Sequence, residues 1–110
     1  MRLVVPAASS IRVNRRRVLN GQPVSFHGRL RAPRGDKLVE LQVRFSNGWQ
    51  TFRTTRTGPE SKWRVRYRFA RSCGLARYRF RLRIPREGDY PYATGTSPTA
   101  HVKVRGQPCS

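Results

Sequence analysis

Arginine and large apolar residues alternate one for one in two stretches of this chain. The first reads Lys62-Trp63-Arg64-Val65-Arg66-Tyr67-Arg68-Phe69 and the second Arg77-Tyr78-Arg79-Phe80-Arg81-Leu82-Arg83-Ile84. Successive side chains of a β-strand point to opposite faces, so each stretch has one apolar face and one row of guanidinium groups. A helix would spread the same residues around its circumference and bury charge. The pattern predicts amphipathic strands of sheets covered on one side and wet on the other.

Turn signals fall at about the spacing of 8–12 residues that marks a sandwich or barrel of short strands. Asn20-Gly21 and Asn47-Gly48 tolerate positive φ, and Pro33-Arg34-Gly35-Asp36 and Gly58-Pro59-Glu60 mark further breaks. Strands are expected at about 10–13, 16–19, 23–31, 38–46, 49–56, 62–70, 77–84 and 99–105, with little or no helix, because no stretch combines a 3.6 period with a cap. Parity assigns the core: Val24, Phe26, Gly28 and Leu30; Val39, Leu41, Val43 and Phe45; Trp63, Val65, Tyr67 and Phe69; Tyr78, Phe80, Leu82 and Ile84; Val102 and Val104. Trp49 and Phe52 break the alternation of the fifth segment, which predicts a bulge or an edge strand that changes face.

Seven or eight short antiparallel strands in 110 residues predict one immunoglobulin-like β-sandwich spanning the chain, its core at about 10–105. Tyr78, two residues before Phe80 on the penultimate strand, has the spacing of a tyrosine corner, whose phenol bonds back to the turn entering that strand. Phe80 stands where an antibody domain has its second bridging cysteine, and the fourth strand has no tryptophan, which excludes the antibody type.

The charge adds a functional question. Arginine and lysine number 24 against five acids, a net +19, and only Lys37, Lys62 and Lys103 are lysine. Such an excess attracts anions of nearly any kind, including nucleic acid, anionic lipid surfaces and acidic cell-wall polymers. A GC-rich genome, which favours arginine codons, would produce the same bias. No apolar run is long enough to span a membrane as a helix.

The run Asn20-Gly21-Gln22-Pro23-Val24-Ser25-Phe26-His27-Gly28-Arg29-Leu30 resembles the start of immunoglobulin-like modules in secreted and surface proteins of actinobacteria. The resemblance extends from about residue 20 to 105 through Val39-Glu40-Leu41-Gln42, Gly48-Trp49-Gln50-Thr51-Phe52, Tyr78-Arg79-Phe80-Arg81 and Tyr90-Pro91-Tyr92-Ala93-Thr94-Gly95. Such modules are labelled bacterial Ig-like or carboxypeptidase-regulatory-like. The resemblance implies a non-enzymatic module of the extracellular space or cell envelope, often joined to neighbouring domains of a longer chain. Its motifs belong to the fold and leave the ligand open. Cys73, just before the seventh strand, and Cys109, just after the last, suit an oxidising compartment: if these strands form the terminal hairpin, a disulfide would close its outer end. Two free thiols are the other reading.

Catalytic groups do not converge. The acids Asp36, Glu40, Glu60, Glu87 and Asp89 fall mostly in expected turns, and His27 and His101 have outward parity on different strands. No nucleophile motif, zinc spacing or glycine-rich phosphate cradle is present. Glu87 and Asp89 could hold a weak calcium ion with loop carbonyls, but a plain polar loop needs no ion. No enzyme activity, cofactor or metal is expected. Two sets of arginines remain as candidates for polyanion binding: Arg64, Arg66 and Arg68, joined by Arg29 and Arg31 on one outer face, and Arg77, Arg79, Arg81 and Arg83, with Arg44, Lys103 and Arg105, on the other. Arginines two apart on one strand are about 7 Å apart, near the phosphate spacing of a nucleic-acid strand. Solvated strand faces explain the rows without a ligand. Weak adhesion to anionic cell-wall polymers or other polyanions is the functional reading, and a basic nucleic-acid-binding domain is the alternative.

Overall fold

The computed structural model describes residues 7–31, 36–69, 74–86 and 93–106. Strands β1 (Arg12–Val13), β2 (Arg17–Leu19), β3 (Pro23–Arg29), β4 (Leu38–Phe45), β5 (Gly48–Arg56), β6 (Lys62–Arg68), β7 (Leu75–Ile84), β8 (Gly95–Thr96) and β9 (Ala100–Arg105) follow in chain order, with no helix among the described residues. They form two facing sheets: β1-β3-β6, and a larger one ordered β2-β9-β7-β4-β5, with β8 added beside β7. The fold is an all-β, immunoglobulin-like sandwich, as the alternation predicts. The short β8 strand is one more than expected.

Apolar faces of the two sheets meet because the long strands other than β5 keep one parity inward. Val24 and Phe26 from β3, Trp63 and Val65 from β6, Val39 and Leu41 from β4, Phe80, Leu82 and Ile84 from β7, and Val102 and Val104 from β9 are all buried. Each contributes about 1.5–3 kcal/mol of burial. Phe26 and Phe80 join the sheets with ring centroids 4.6 Å apart, and Phe69 stacks on Tyr78 at 5.1 Å. Tyr78 is thus placed inward as the corner spacing requires, while most of the turn its phenol would reach lies outside the described residues.

Two expectations need correction, and both expected Asn-Gly turns are present. Phe45 is exposed rather than core: it is the last residue of β4, at the hairpin into β5. That hairpin turns on Ser46-Asn47, with Gly48 taking the positive φ of 127° as the first residue of β5. Asn20-Gly21 forms the expected turn, with Gly21 at φ 88° and Gln22 N–H donating to the Leu19 carbonyl, and it carries the chain from the large sheet to the small one. Finally, the sandwich is not wholly antiparallel, since β2 runs parallel to β9. The cause is a change of sheet near the N-terminus. Val13 still pairs with Phe26 of β3, but Arg16 accepts a hydrogen bond from Lys103 N–H and β2 then follows β9.

The N-terminal segment lies unusually close to β3. A Cβ on Gly28 would collide with the Ser10 carbonyl and come 2.7 Å from Trp63 Nε1. The missing side chain lets Ser9 reach inward, where its Oγ accepts from the buried Trp63 indole at 3.0 Å. At the opposite edge, the expected irregularity of β5 is a bulge between the Leu41–Arg53 and Gln42–Thr51 pairs. It turns Phe52 inward onto Tyr67 and Phe80 while Trp49 remains on the outer face beside Arg44.

Candidate polyanion-binding faces

The two arginine strands lie in different sheets, so charge covers both outer faces. On the small sheet, Arg64, Arg66 and Arg68 stand opposite His27, Ser25 and Pro23 of β3, and Arg29 stands opposite Lys62. Arg12 of β1 pairs with His27, which completes a row Arg12–His27–Arg64. Lys62 binds Glu60 at 2.9 Å, and that hydrogen bond and charge, with a smaller contribution from Arg29, hold the Glu60 carboxyl below its ordinary range. His27 and His101 occupy opposite sheets.

The large sheet divides its arginines. Arg81 and Arg83 are held by the protein itself. Arg81 donates from Nε to Gln42 Oε1 at 2.9 Å, Gln42 donates to Thr51 Oγ1 at 3.1 Å, and the Arg81 guanidinium lies 4.4 Å from the Trp49 ring centroid. Burial, and then the charges of Arg44 and Arg83, lower the pKa of Arg81 from the usual guanidinium range. Arg83 pairs with Glu40. Both arginines serve packing and cross-strand order.

The other half of β7 has different neighbours. Arg77 is directly opposite Lys103, whose other neighbour is Arg17 of β2; Arg79 is opposite His101; Arg105 lies between Leu19 and Leu75. Directly opposed like charges are destabilising. The described carboxylates do not relieve them, because Asp36 pairs with Arg56, Glu40 with Arg83 and Glu60 with Lys62. The row Arg17–Lys103–Arg77 therefore presents three cations with no protein anion among the described residues. Arg17 has the same residue type as its neighbours in the Arg15-Arg16-Arg17 run, and only the parallel β2–β9 register sets it beside Lys103.

The cysteine pair lies outside the described residues. The hairpin expected to bring the two together is present: β7 and β9 pair antiparallel, and Gly106 N–H donates to the Gly74 carbonyl at its outer end. Glu87, Asp89 and Tyr92 also lie outside the described residues. Within those residues no three His, Cys, Asp or Glu side chains gather as a metal site would require.

No family model and no curated protein matches the chain. Among solved structures it is similar to the CARDB domain of a Pyrococcus furiosus protein, determined in complex with di-metal ions. The TM-score is 0.52 at 12% identity, covering 97% of this chain and all of that one. The likeness is one of fold, an immunoglobulin-like sandwich.

Proposed function

We propose that the chain is a non-enzymatic immunoglobulin-like module of a bacterial extracellular or cell-surface protein, holding anionic cell-wall polymers or similar polyanions weakly on its arginine faces. The observation that carries the reading is the row Arg17–Lys103–Arg77, whose cations oppose one another while each described carboxylate is engaged elsewhere. A polyanion supplies the missing counter-charge, and released counterions supply the affinity. Arg64, Arg66, Arg68, Arg79 and Arg105 extend the contact, whereas Arg81 and Arg83 are spent on Gln42, Trp49 and Glu40. Spread over both faces, with the Trp49 ring covered by Arg81, the charge favours diffuse adhesion over a stacking groove for nucleic-acid bases. The Cys73–Cys109 bridge belongs to the same reading, and mass spectrometry before and after alkylation tests it: an intact bridge is expected, and two alkylated thiols in protein from an oxidising compartment remove that support.

The experiment is a salt titration against duplex DNA, single-stranded RNA and a teichoic-type polymer. Similar affinities that fall together are expected, with log–log slopes of roughly −3 if three cations are engaged. Binding to one nucleic acid that survives near physiological salt while the others are lost would replace this reading with specific nucleic-acid recognition.

A further inference from the structure

The two ends of the sandwich differ in kind. At one end lie the starts of β4 and β6 and the ends of β3, β5 and β7, and all the described carboxylates cluster there: Asp36, Glu40 and Glu60. At the other end lie three large apolar side chains in solvent, Leu19 at 53% exposure, Leu75 at 57% and Phe45 at 42%. Leu19 and Leu75 share the outer face of the large sheet, because β2 ends beside the end of β9, which pairs with the start of β7; Phe45, at the β4–β5 hairpin of the same end, has the inward parity of Val43 and belongs to the other face. Leu19, Arg105 and Leu75 are direct cross-strand neighbours in one row, with Arg17–Lys103–Arg77 the next row inward. The Leu19 and Leu75 side chains, with Arg17, Lys103, Arg105 and Gln22, line an open depression of about 440 Å³.

A fully hydrated polymer satisfies the cations of this end but offers nothing to the leucines. An anionic bilayer satisfies both, because its phosphate layer meets the arginines while the leucines enter the acyl boundary. We infer that the outer face of this end, carrying Leu19 and Leu75 beside Arg17, Lys103 and Arg105, is a docking surface for anionic lipid membranes. The inference rests on the cationic face proposed above and adds to it an apolar component that a soluble polyanion cannot engage. Charge orients the domain, since the end that carries the carboxylates is turned away from the anionic surface.

The test uses vesicles of phosphatidylcholine with and without phosphatidylglycerol, cosedimented with the wild-type chain, with L19N/L75N and with R17Q/K103Q. Both leucines are exposed, so the double variant retains the fold, which circular dichroism checks. Wild type is expected to bind the anionic vesicles and not the neutral ones, and to retain measurable binding at about 1 M salt, where the Debye length is about 3 Å and DNA binding is lost. L19N/L75N is expected to lose roughly tenfold or more in vesicle affinity, while its affinity for duplex DNA stays within about twofold. R17Q/K103Q is expected to weaken both. Equal vesicle binding by wild type and L19N/L75N would overturn the inference and leave the polyanion reading standing. Vesicle binding without DNA or polymer binding would overturn the polyanion reading alone. A concentration-dependent dimer that L19N/L75N abolishes, with no vesicle binding, would assign this end to a second copy of the chain and overturn the membrane assignment.

Discussion

Strands β6 and β7 carry the same alternation, yet the molecule uses their arginines differently. Those of β6 stand on a three-stranded sheet opposite Pro23, Ser25 and His27. Those of β7 lie in the middle of the large sheet and separate into halves: Arg77 and Arg79 face Lys103 and His101, while Arg81 and Arg83 face Gln42 and Glu40. The inner faces differ too. Phe80, Leu82 and Ile84 of β7 are sealed between sheets, whereas Tyr67 of β6 is half-buried beneath Phe52 and the Arg53 guanidinium, 5.3 Å from its ring. A period of two specifies the face on which a side chain emerges; the neighbouring strand decides what it meets there.

The largest effect that would sharpen this contrast comes from the core. Phe80→Ala is expected to cost about 3–5 kcal/mol, since it removes ring contacts with Phe26, Phe52, Phe69 and Tyr78. Tyr67→Ala, at the more open edge, is expected to cost about 1–3 kcal/mol. Denaturant unfolding measures both, and equal losses would erase the difference between the strands.

Next come the outer faces. Arg81→Gln is expected to cost about 1 kcal/mol and to change the fluorescence of Trp49, because it removes the cation over that ring and the donor to buried Gln42. The same substitution at Arg66 is expected to change stability by less than about 0.5 kcal/mol. If the two variants behave alike, the Arg81–Gln42–Trp49 contacts do not distinguish the strands.

Arg77→Gln is expected to act in the opposite direction. Removing a cation opposed to Lys103 raises stability by about 0.2–1 kcal/mol at low salt, and the gain disappears near 1 M. Destabilisation at low salt would mean that Arg77 contributes packing that outweighs repulsion.

The smallest effect belongs to Glu60 at the entry of β6. Its carboxyl is depressed by Lys62, so its contribution is present above the ordinary carboxylate range and is lost as pH falls through the depressed folded value. Because the group is fully exposed, the difference between wild-type and Glu60→Gln acid-denaturation profiles is expected to be slight, with wild type losing stability faster as pH falls. A difference that grows as pH falls would reverse the sign of this linkage.

Much of this was legible along the chain because strand alternation is a property of local backbone geometry. The inward sets around Phe26, Val65 and Leu82, the outward arginines and the irregularity at Phe52 all follow from the order of residues. The exposure of Phe45 could not be read in this way, because parity gives the face of a side chain and not what packs over it. Nor could the division of β7, since the letters around Arg77 and Arg83 are nearly the same and their surroundings come from β2, β9 and β4.

Alternation alone makes this chain form sandwich strands with apolar insides and cationic outsides, because alternating polarity leaves a strand one way to bury its apolar face. Tertiary structure decided which charges became structural and which remained without a protein anion among the described residues. It placed Arg17 beside Lys103 by a parallel pairing, gave Arg83 the carboxylate of Glu40, and set Leu19 and Leu75 in one outward row at the end away from Asp36, Glu40 and Glu60. Those outcomes depend on register and strand direction between segments far apart in the chain, which packing of the two sheets sets collectively and no local pattern encodes.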